Sequence, residues 1–236
     1  MASKMVAIHQ PNFFPWLGYF NKIARADLFL VMDNVQFPRT NRGTWLNRVR
    51  LLVNGQPAWV TMPVVRAYHG LRAVKEMHID SAAPWRSKLL KTIEASYKRT
   101  PFFKDVFPVI QELIENETDS LADYNLSSII SLAKTMGLDA SKLVLGSSLN
   151  ADGNATDLLI SMLKAVGGDA YLCGGGSGGY QEDEKFAQAG IELVYQNFEH
   201  PLYPQATSQE FVSGLSIIDA LMNCGFKRTA EIVSAP

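Results

Sequence analysis

Leu28-Phe29-Leu30-Val31-Met32 is apolar at every position, and this short run constrains the fold more than any other feature of the chain. A strand with one wet face alternates apolar and polar side chains. A strand apolar on both faces is covered on both, as in a parallel sheet flanked by helices. Met5-Val6-Ala7-Ile8 reads as an earlier strand, and Leu17–Arg25 between the two reads as a helix. Strand, helix, strand in that order is a βαβ unit with a right-handed crossover. The predicted fold class is therefore α/β, a Rossmann-like parallel sheet.

The remaining pattern fits that class. Residues 49–53 and 58–63 flank Asn54-Gly55, a dipeptide suited to the positive φ angles of a two-residue hairpin turn. Residues 74–79 alternate as an edge strand would. From Trp85 the period changes: Trp85, Leu89, Ile93 and Tyr97 recur every four residues, which predicts a helix. Thr100-Pro101 breaks it, and residues 103–115 and 120–136 read as further helices. Strand 143–145, helix 154–166, strand 170–173, helix 182–189 and strand 191–195 follow. A last helix is expected over 211–223, with Gly225 beyond it. With no repeats and no low-complexity linkers, residues 1–236 read as a single α/β domain with 85–136 as a helical insertion.

Composition narrows the function classes. The 236 residues are 47% hydrophobic, enough for a sizeable core. Lys and Arg number 22 against 23 Asp and Glu, so no basic field draws the chain to nucleic acid. No apolar stretch reaches membrane-spanning length, so no membrane insertion is expected. No apolar core follows Met1 to Lys4, so no secretory signal is expected either. The two cysteines, Cys173 and Cys224, make no disulfide framework and point to a reducing cytoplasm. The four histidines are scattered, without metal-ligand spacing.

The candidate site starts where the first strand ends, at His9-Gln10-Pro11-Asn12-Phe13-Phe14-Pro15-Trp16. Open α/β sheets bind ligands outside the carboxyl ends of their strands, and the amides at a helix N-terminus suit an anion. The prolines restrict the loop. His9 can act as acid, base or phosphate ligand. Gln10 and Asn12 carry amides suited to a sugar or a base edge. Asp33 closes the neighbouring strand at the same sheet edge, where a carboxylate can serve as a base or hold a hydroxyl, with Gln36 as its companion. The expectation is that His9 and Asp33 share one cleft.

Three further regions bear on binding. Arg39, Arg42, Arg48 and Arg50 form the densest basic stretch, with Trp45 among them; guanidinium forks suit a diphosphate. Asn47-Arg48 stands out in this stretch. Gly174-Gly175-Gly176-Ser177-Gly178-Gly179, ending at Tyr180, lets a ligand approach backbone closely but lacks the Lys-Ser/Thr of a P-loop. Ser216 and Asp219 fall on one helix face. A carboxylate on so apolar a helix needs a buried partner or an active-site position, and His9 or an arginine is the candidate partner.

His9-Gln10-Pro11, Pro15-Trp16-Leu17-Gly18-Tyr19-Phe20, Asp33-Asn34-Val35-Gln36-Phe37, Asn47-Arg48 and Trp59-Val60-Thr61-Met62-Pro63 together resemble the WbqC-like family. Trp85, Tyr97, Pro101-Phe102-Phe103, Ser147-Ser148-Leu149, Tyr180 and Leu215-Ser216-Ile217-Ile218-Asp219 continue the likeness over nearly the whole chain. The resemblance implies a bacterial protein of O-antigen or related lipopolysaccharide assembly, with glycyl or other acyl transfer as its suggested chemistry. The sequence departs from the family's pattern after Gln36, where Arg39-Thr40-Asn41-Arg42-Gly43 lacks the usual aromatic. More weakly, the first strand, loop and helix resemble the start of pantothenate synthetase and the nucleotidylyltransferases. There a His-x-Gly-His turn holds nucleotide phosphates; here Tyr19 stands in place of the second histidine.

These readings predict a transferase or ligase that forms an amide on a nucleotide-linked amino sugar. His9 or Asp33 is its base, and Gln10, Asn12, Tyr19, Gln36, Asn47, Arg48, Tyr180, Ser216 and Asp219 contact substrate. The acyl donor is a thioester, or a carboxylate activated by ATP with Mg²⁺. A homodimer is compatible with the sequence. The competing expectation is a non-catalytic nucleotide or nucleotide-sugar binding protein with a degenerate site.

Overall fold

The computed structural model describes residues 3–39, 44–174 and 182–235. Its centre is a five-stranded parallel sheet of β1 (Met5–His9), β2 (Leu28–Val31), β5 (Leu143–Leu145), β6 (Ala170–Cys173) and β7 (Glu192–Tyr195), in the spatial order β5-β2-β1-β6-β7. In register, His9 lies beside Val31, and Ala7 lies between Phe29 and Leu172. The chain builds outward from β1 to β2 and β5, then returns to the other side of β1 for β6 and β7. The order therefore reverses between β1 and β6, the switch point at which α/β sheets open a ligand crevice.

The apolar run at β2 is explained by what covers it. Leu30 joins Val6, Ile8, Tyr171 and Cys173 on one face, packed with Leu159, Met162 and Leu163 of α5 (Ala155–Ala165) and Phe186 of α6 (Asp183–Gln188). Phe29 and Val31 join Ala7 and Leu172 on the other. That second face belongs to the larger core, with α1 (Leu17–Arg25) and α7 (Ile217–Ser234). Each such buried side chain contributes about 1.5–3 kcal/mol relative to exposure.

The helical segment matches its period. α2 (Trp85–Tyr97) buries Trp85, Leu89, Ile93 and Tyr97 in the larger core, α3 (Phe103–Glu115) and α4 (Leu121–Thr135) pack into the same core, and Ser120 caps α4 by accepting from the Asp123 amide at 3.3 Å. Outside the main sheet, β3 (Arg48–Val53) and β4 (Gln56–Thr61) form an antiparallel hairpin. Its turn residues Asn54 and Gly55 take φ of 52° and 76°, as a primed turn requires.

Two local expectations are corrected. Residues 74–79 form no edge strand: Val74–Glu76 is a 3-10 turn, closed where the Glu76 carboxylate accepts from the Ala73 amide at 2.7 Å. Only isolated bridges flank it, including Gln36 with Ala73. The last helix starts at Ile217 rather than 211, because Ser216 is its N-cap, and it runs on past Gly225 to Ser234. Gly225 is a kink inside it, with φ 72° and ψ 174°; a Cβ there would lie 2.7 Å from the Phe102 ring. No helix among the described residues is long and apolar enough to cross a membrane.

Candidate functional site

The loop between β1 and α1 is buried and tied down along its length. Asn125 of α4 donates from its amide to Pro11 O at 2.8 Å and to Leu46 O at 2.7 Å. The Phe13 amide donates to Trp45 O at 2.7 Å. The Ser216 hydroxyl donates to Phe14 O at 2.8 Å, and the Ile217 amide to Pro15 O at 2.8 Å. Phe14 is held at φ 41°, in the left-handed region that non-glycine residues seldom occupy.

Where this loop meets α1, a cavity of about 1010 Å³ opens at the carboxyl ends of the strands, on the switch point. His9, Gln10 and Lys22 bring polar groups to it; Trp16, Tyr19, Tyr171 and Phe198 bring aromatic walls. Trp16 folds back over the first turn of α1. It contacts Phe198 and His200, with ring centroids at 5.4 and 5.3 Å. Gly18 makes this fold-back feasible, since a Cβ there would lie 2.1 Å from the indole. Gln196, just after β7, donates to Gly18 O at 2.6 Å and to Asn21 Oδ1 at 3.0 Å, and Arg25 donates to Gln196 O at 3.0 Å. The wall beyond β7 is thereby anchored to α1. Ala155 and Asn197, both in the lining, also hold positive φ, 48° and 45°. Strained backbone of this kind gathers at binding sites.

His9 is half-buried, with Nδ1 3.1 Å from Gln10 O. Burial pushes its pKa down to about 3, the nearby Lys22 charge adds to the fall, and the bond to Gln10 opposes it. The ring is therefore neutral. With Nδ1–H donating to Gln10 O, Nε2 keeps its lone pair. The ring meets Tyr19 edge-on at 4.8 Å. Tyr19 is fully buried, its hydroxyl makes no hydrogen bond among the described residues, and burial drives its pKa upward.

Lys22 is the residue that the sequence reading missed. It lies one helical turn from Gly18 and Tyr19, on the face of α1 that lines the cavity. It is 5% exposed, and among the described residues no carboxylate pairs with it. Burial lowers its pKa to about 8, with Cys173 opposing. The signal was its spacing, three and four residues after Tyr19 and Gly18, which puts it on their face of the helix.

Of the sequence-derived candidates, His9, Gln10 and Tyr19 line the cavity. Asn12 is buried without lining it. Asp33 lies two residues past the end of β2, whose last residue, Val31, is the one beside His9, and it does not line the cavity. Its carboxylate accepts from the Ser147 amide at 2.8 Å and the Ser147 hydroxyl at 2.6 Å, tying β2 to the turn after β5. Gln36 is exposed. Asn47 donates to Met62 O at 2.9 Å and accepts from the Thr44 amide at 3.0 Å, closing the base of the hairpin. Arg48 lies over the Trp59 ring at 3.9 Å, and Arg50 donates to Ser213 O at 3.2 Å.

Ser216 spends its hydroxyl on the α7 cap and on Phe14 O. Asp219 has the buried partner expected of it, but that partner is neither His9 nor an arginine. Tyr203 donates to its carboxylate at 2.7 Å and Gln205 at 3.0 Å. The segment after β7 folds back over α7 and meets the acid with neutral donors. Burial raises the Asp219 pKa, against the pull of its hydrogen bonds. Cys173 is fully buried, with its thiol 3.6 Å from Val194 O. Tyr180, Arg42 and most of the glycine run, residues 175–179, lie outside the described residues. Among those described, no three His, Cys, Asp or Glu side chains gather as a metal site.

The model of the WbqC-like protein family matches residues 10–231. An uncharacterized protein of Mycobacterium tuberculosis (strain ATCC 25618 / H37Rv), Rv1507c, is 24% identical over 223 residues, covering 94% of each chain. No solved structure matches.

Proposed function

Starting from the fact that the chain belongs to the WbqC-like protein family, we propose that its cleft binds a nucleotide-linked amino sugar. There the protein transfers a small acyl group, glycyl first among candidates, to the sugar amine during bacterial surface-polysaccharide assembly. The observation that carries this reading is the neutral His9, with Nε2 open for a proton in an aromatic-walled cavity at the switch point of the sheet. Nucleotides bind at such switch points in other α/β proteins, and about 1010 Å³ accommodates a nucleotide with an appended sugar.

The chemistry assigned to these residues balances as follows. The amine lone pair attacks the acyl carbonyl carbon and the C–N bond forms. His9 Nε2 takes the proton that the nitrogen sheds. The imidazolium then returns it to the leaving group as the bond from carbon to that group breaks. The leaving group is a thiol in a thioester donor and AMP in an acyl-adenylate. Asp33 takes no proton in this scheme, because its oxygens are engaged by Ser147. Trp16 and Phe198 present flat apolar faces to the base or sugar ring.

The low basicity of His9 favours a second reading, a protein that binds the ligand without turnover. The test incubates purified protein with UDP-, GDP- and dTDP-linked amino sugars and either a glycyl thioester or glycine with ATP and Mg²⁺, following product mass. A new amide that is lost in His9→Gln, with ligand binding retained, supports transfer. Binding without product for every donor supports the second reading. Absence of nucleotide-sugar binding overturns both.

A further inference from the structure

We propose that Lys22 and Tyr19 form the subsite for the ligand's phosphate groups, on the α1 side of the cleft opposite Gly174. The proposal rests on the nucleotide-linked reading above and adds where the anionic part of such a ligand sits.

Four observations converge on this point. Lys22 is a cation almost wholly withdrawn from water, lining a cavity, with no carboxylate paired to it among the described residues. Such burial is unfavourable unless a counter-charge arrives. A phosphate supplies it. Tyr19, three residues earlier on the same face, brings a buried hydroxyl without a hydrogen-bond partner among the described residues, and an O–H donor suits a phosphate oxygen. At the end of β6, the position a Gly174 Cβ would take lies 3.6 Å from the Lys22 ammonium nitrogen, so a larger side chain there would grow toward the amine. Of the arginines that sequence favoured for a diphosphate, Arg39, Arg48 and Arg50 are absent from the cavity lining. Arg48 stacks on Trp59, and Arg50 donates to a backbone carbonyl.

The placement also puts the anion next to the base. His9 touches Tyr19 edge-on at 4.8 Å and lies within the field of Lys22. A phosphate neutralising Lys22 would offset the charge that adds to burial in lowering the His9 pKa, so the imidazole is more basic with the ligand present than without it.

Titration calorimetry tests the subsite with UDP, GDP, dTDP and ADP, their parent nucleosides, and inorganic pyrophosphate. The proteins are wild type, Lys22→Met and Tyr19→Phe. The expected result is a nucleoside diphosphate that binds wild type and loses about 10–100-fold of its affinity in Lys22→Met. Tyr19→Phe gives a smaller loss, and affinity for the matching nucleoside stays unchanged. Lys22→Met should fold, since a methionine suits a buried helix face; an undiminished melting temperature without ligand checks this. If Lys22→Met binds the diphosphate as tightly as wild type, the subsite is overturned and the nucleotide reading stands. If wild type binds pyrophosphate through Lys22 but no nucleotide, the nucleotide reading falls and the anion subsite stands. If wild type binds none of the probes, both fall.

Discussion

The Trp16 indole occupies the space that a side chain at Gly18 would need, with its Cζ3 2.1 Å from where a Cβ would stand. The two residues form one device: the glycine admits the ring, and the ring becomes a wall of the cleft. Gly18→Ala is expected to push the indole out of place. Overpacking of this kind costs about 1–3 kcal/mol, so the melting temperature should fall, with a shift in tryptophan emission and weaker nucleotide-sugar binding. Unchanged emission and stability would show that the ring has room to spare.

His9 should make the protein acid-sensitive. Its native pKa of about 3 lies below its ordinary value of 6.5. The unfolded chain therefore takes up a proton that the native state refuses, and stability falls as pH drops from about 6.5 toward about 3. Lys22 is the charged group facing the ring, with Tyr19 its aromatic neighbour. In His9→Gln this contribution disappears. Melting temperatures measured at about pH 7.5 and about pH 4.5 should show a smaller acid loss in the variant.

Lys22 acts with the same sign in a more alkaline window. Its native pKa of about 8 lies below the ordinary 10.5, so the cost of burying the charge is full below pH 8 and vanishes as pH approaches 10.5. His9 and Cys173 interact electrostatically with the amine, and Tyr19 and Glu199 line the same cavity. Lys22→Met should stabilise the ligand-free protein by roughly 3 kcal/mol at neutral pH, and urea unfolding should show that gain shrinking in alkali.

Asp219 separates a hydrogen-bonding role from a charge. Asp219→Asn keeps an acceptor for Tyr203 and Gln205, and because burial already raises the carboxyl pKa, the loss of charge should cost little. Asp219→Ala strands both donors in the core and should cost about 2–4 kcal/mol in urea unfolding. Equal losses in the two variants would assign the role to the charge.

Asp33 is expected to act through Ser147. Asp33→Ala leaves the Ser147 amide without its acceptor and should destabilise by about 2–3 kcal/mol, with Ser147→Ala losing about 1 kcal/mol. Ligand affinity should change less in either variant than in Lys22→Met, as calorimetry on the folded proteins would show.

The parts of this structure that were legible in the sequence are those set by local pattern. Leu28–Val31 is apolar on both faces because two separate core clusters meet it, and His9, Gln10 and Tyr19 reach the cleft because a strand end and a helix start leave them there. What escaped depends on distant chain. Ser147 takes the Asp33 carboxylate from 114 residues away, and the donors to Asp219 come from an irregular segment with no period to read. Gly225 reads as a terminator until Phe102 is seen packed against it. Lys22 was hidden by a sound habit of inference, since lysines on helices are usually solvated; in the fold it is buried in the cavity wall beside Gly174.

Asn125 limits how far this protein can be simplified. One amide group on the second half of the helical segment grips both Pro11, in the cleft loop, and Leu46, ahead of the hairpin. An engineer who pruned residues 85–136 to reach a minimal parallel-sheet scaffold would also cut the fastening that shapes the mouth of the cleft. The helices and the cleft would have to be inherited, transplanted or redesigned as one piece.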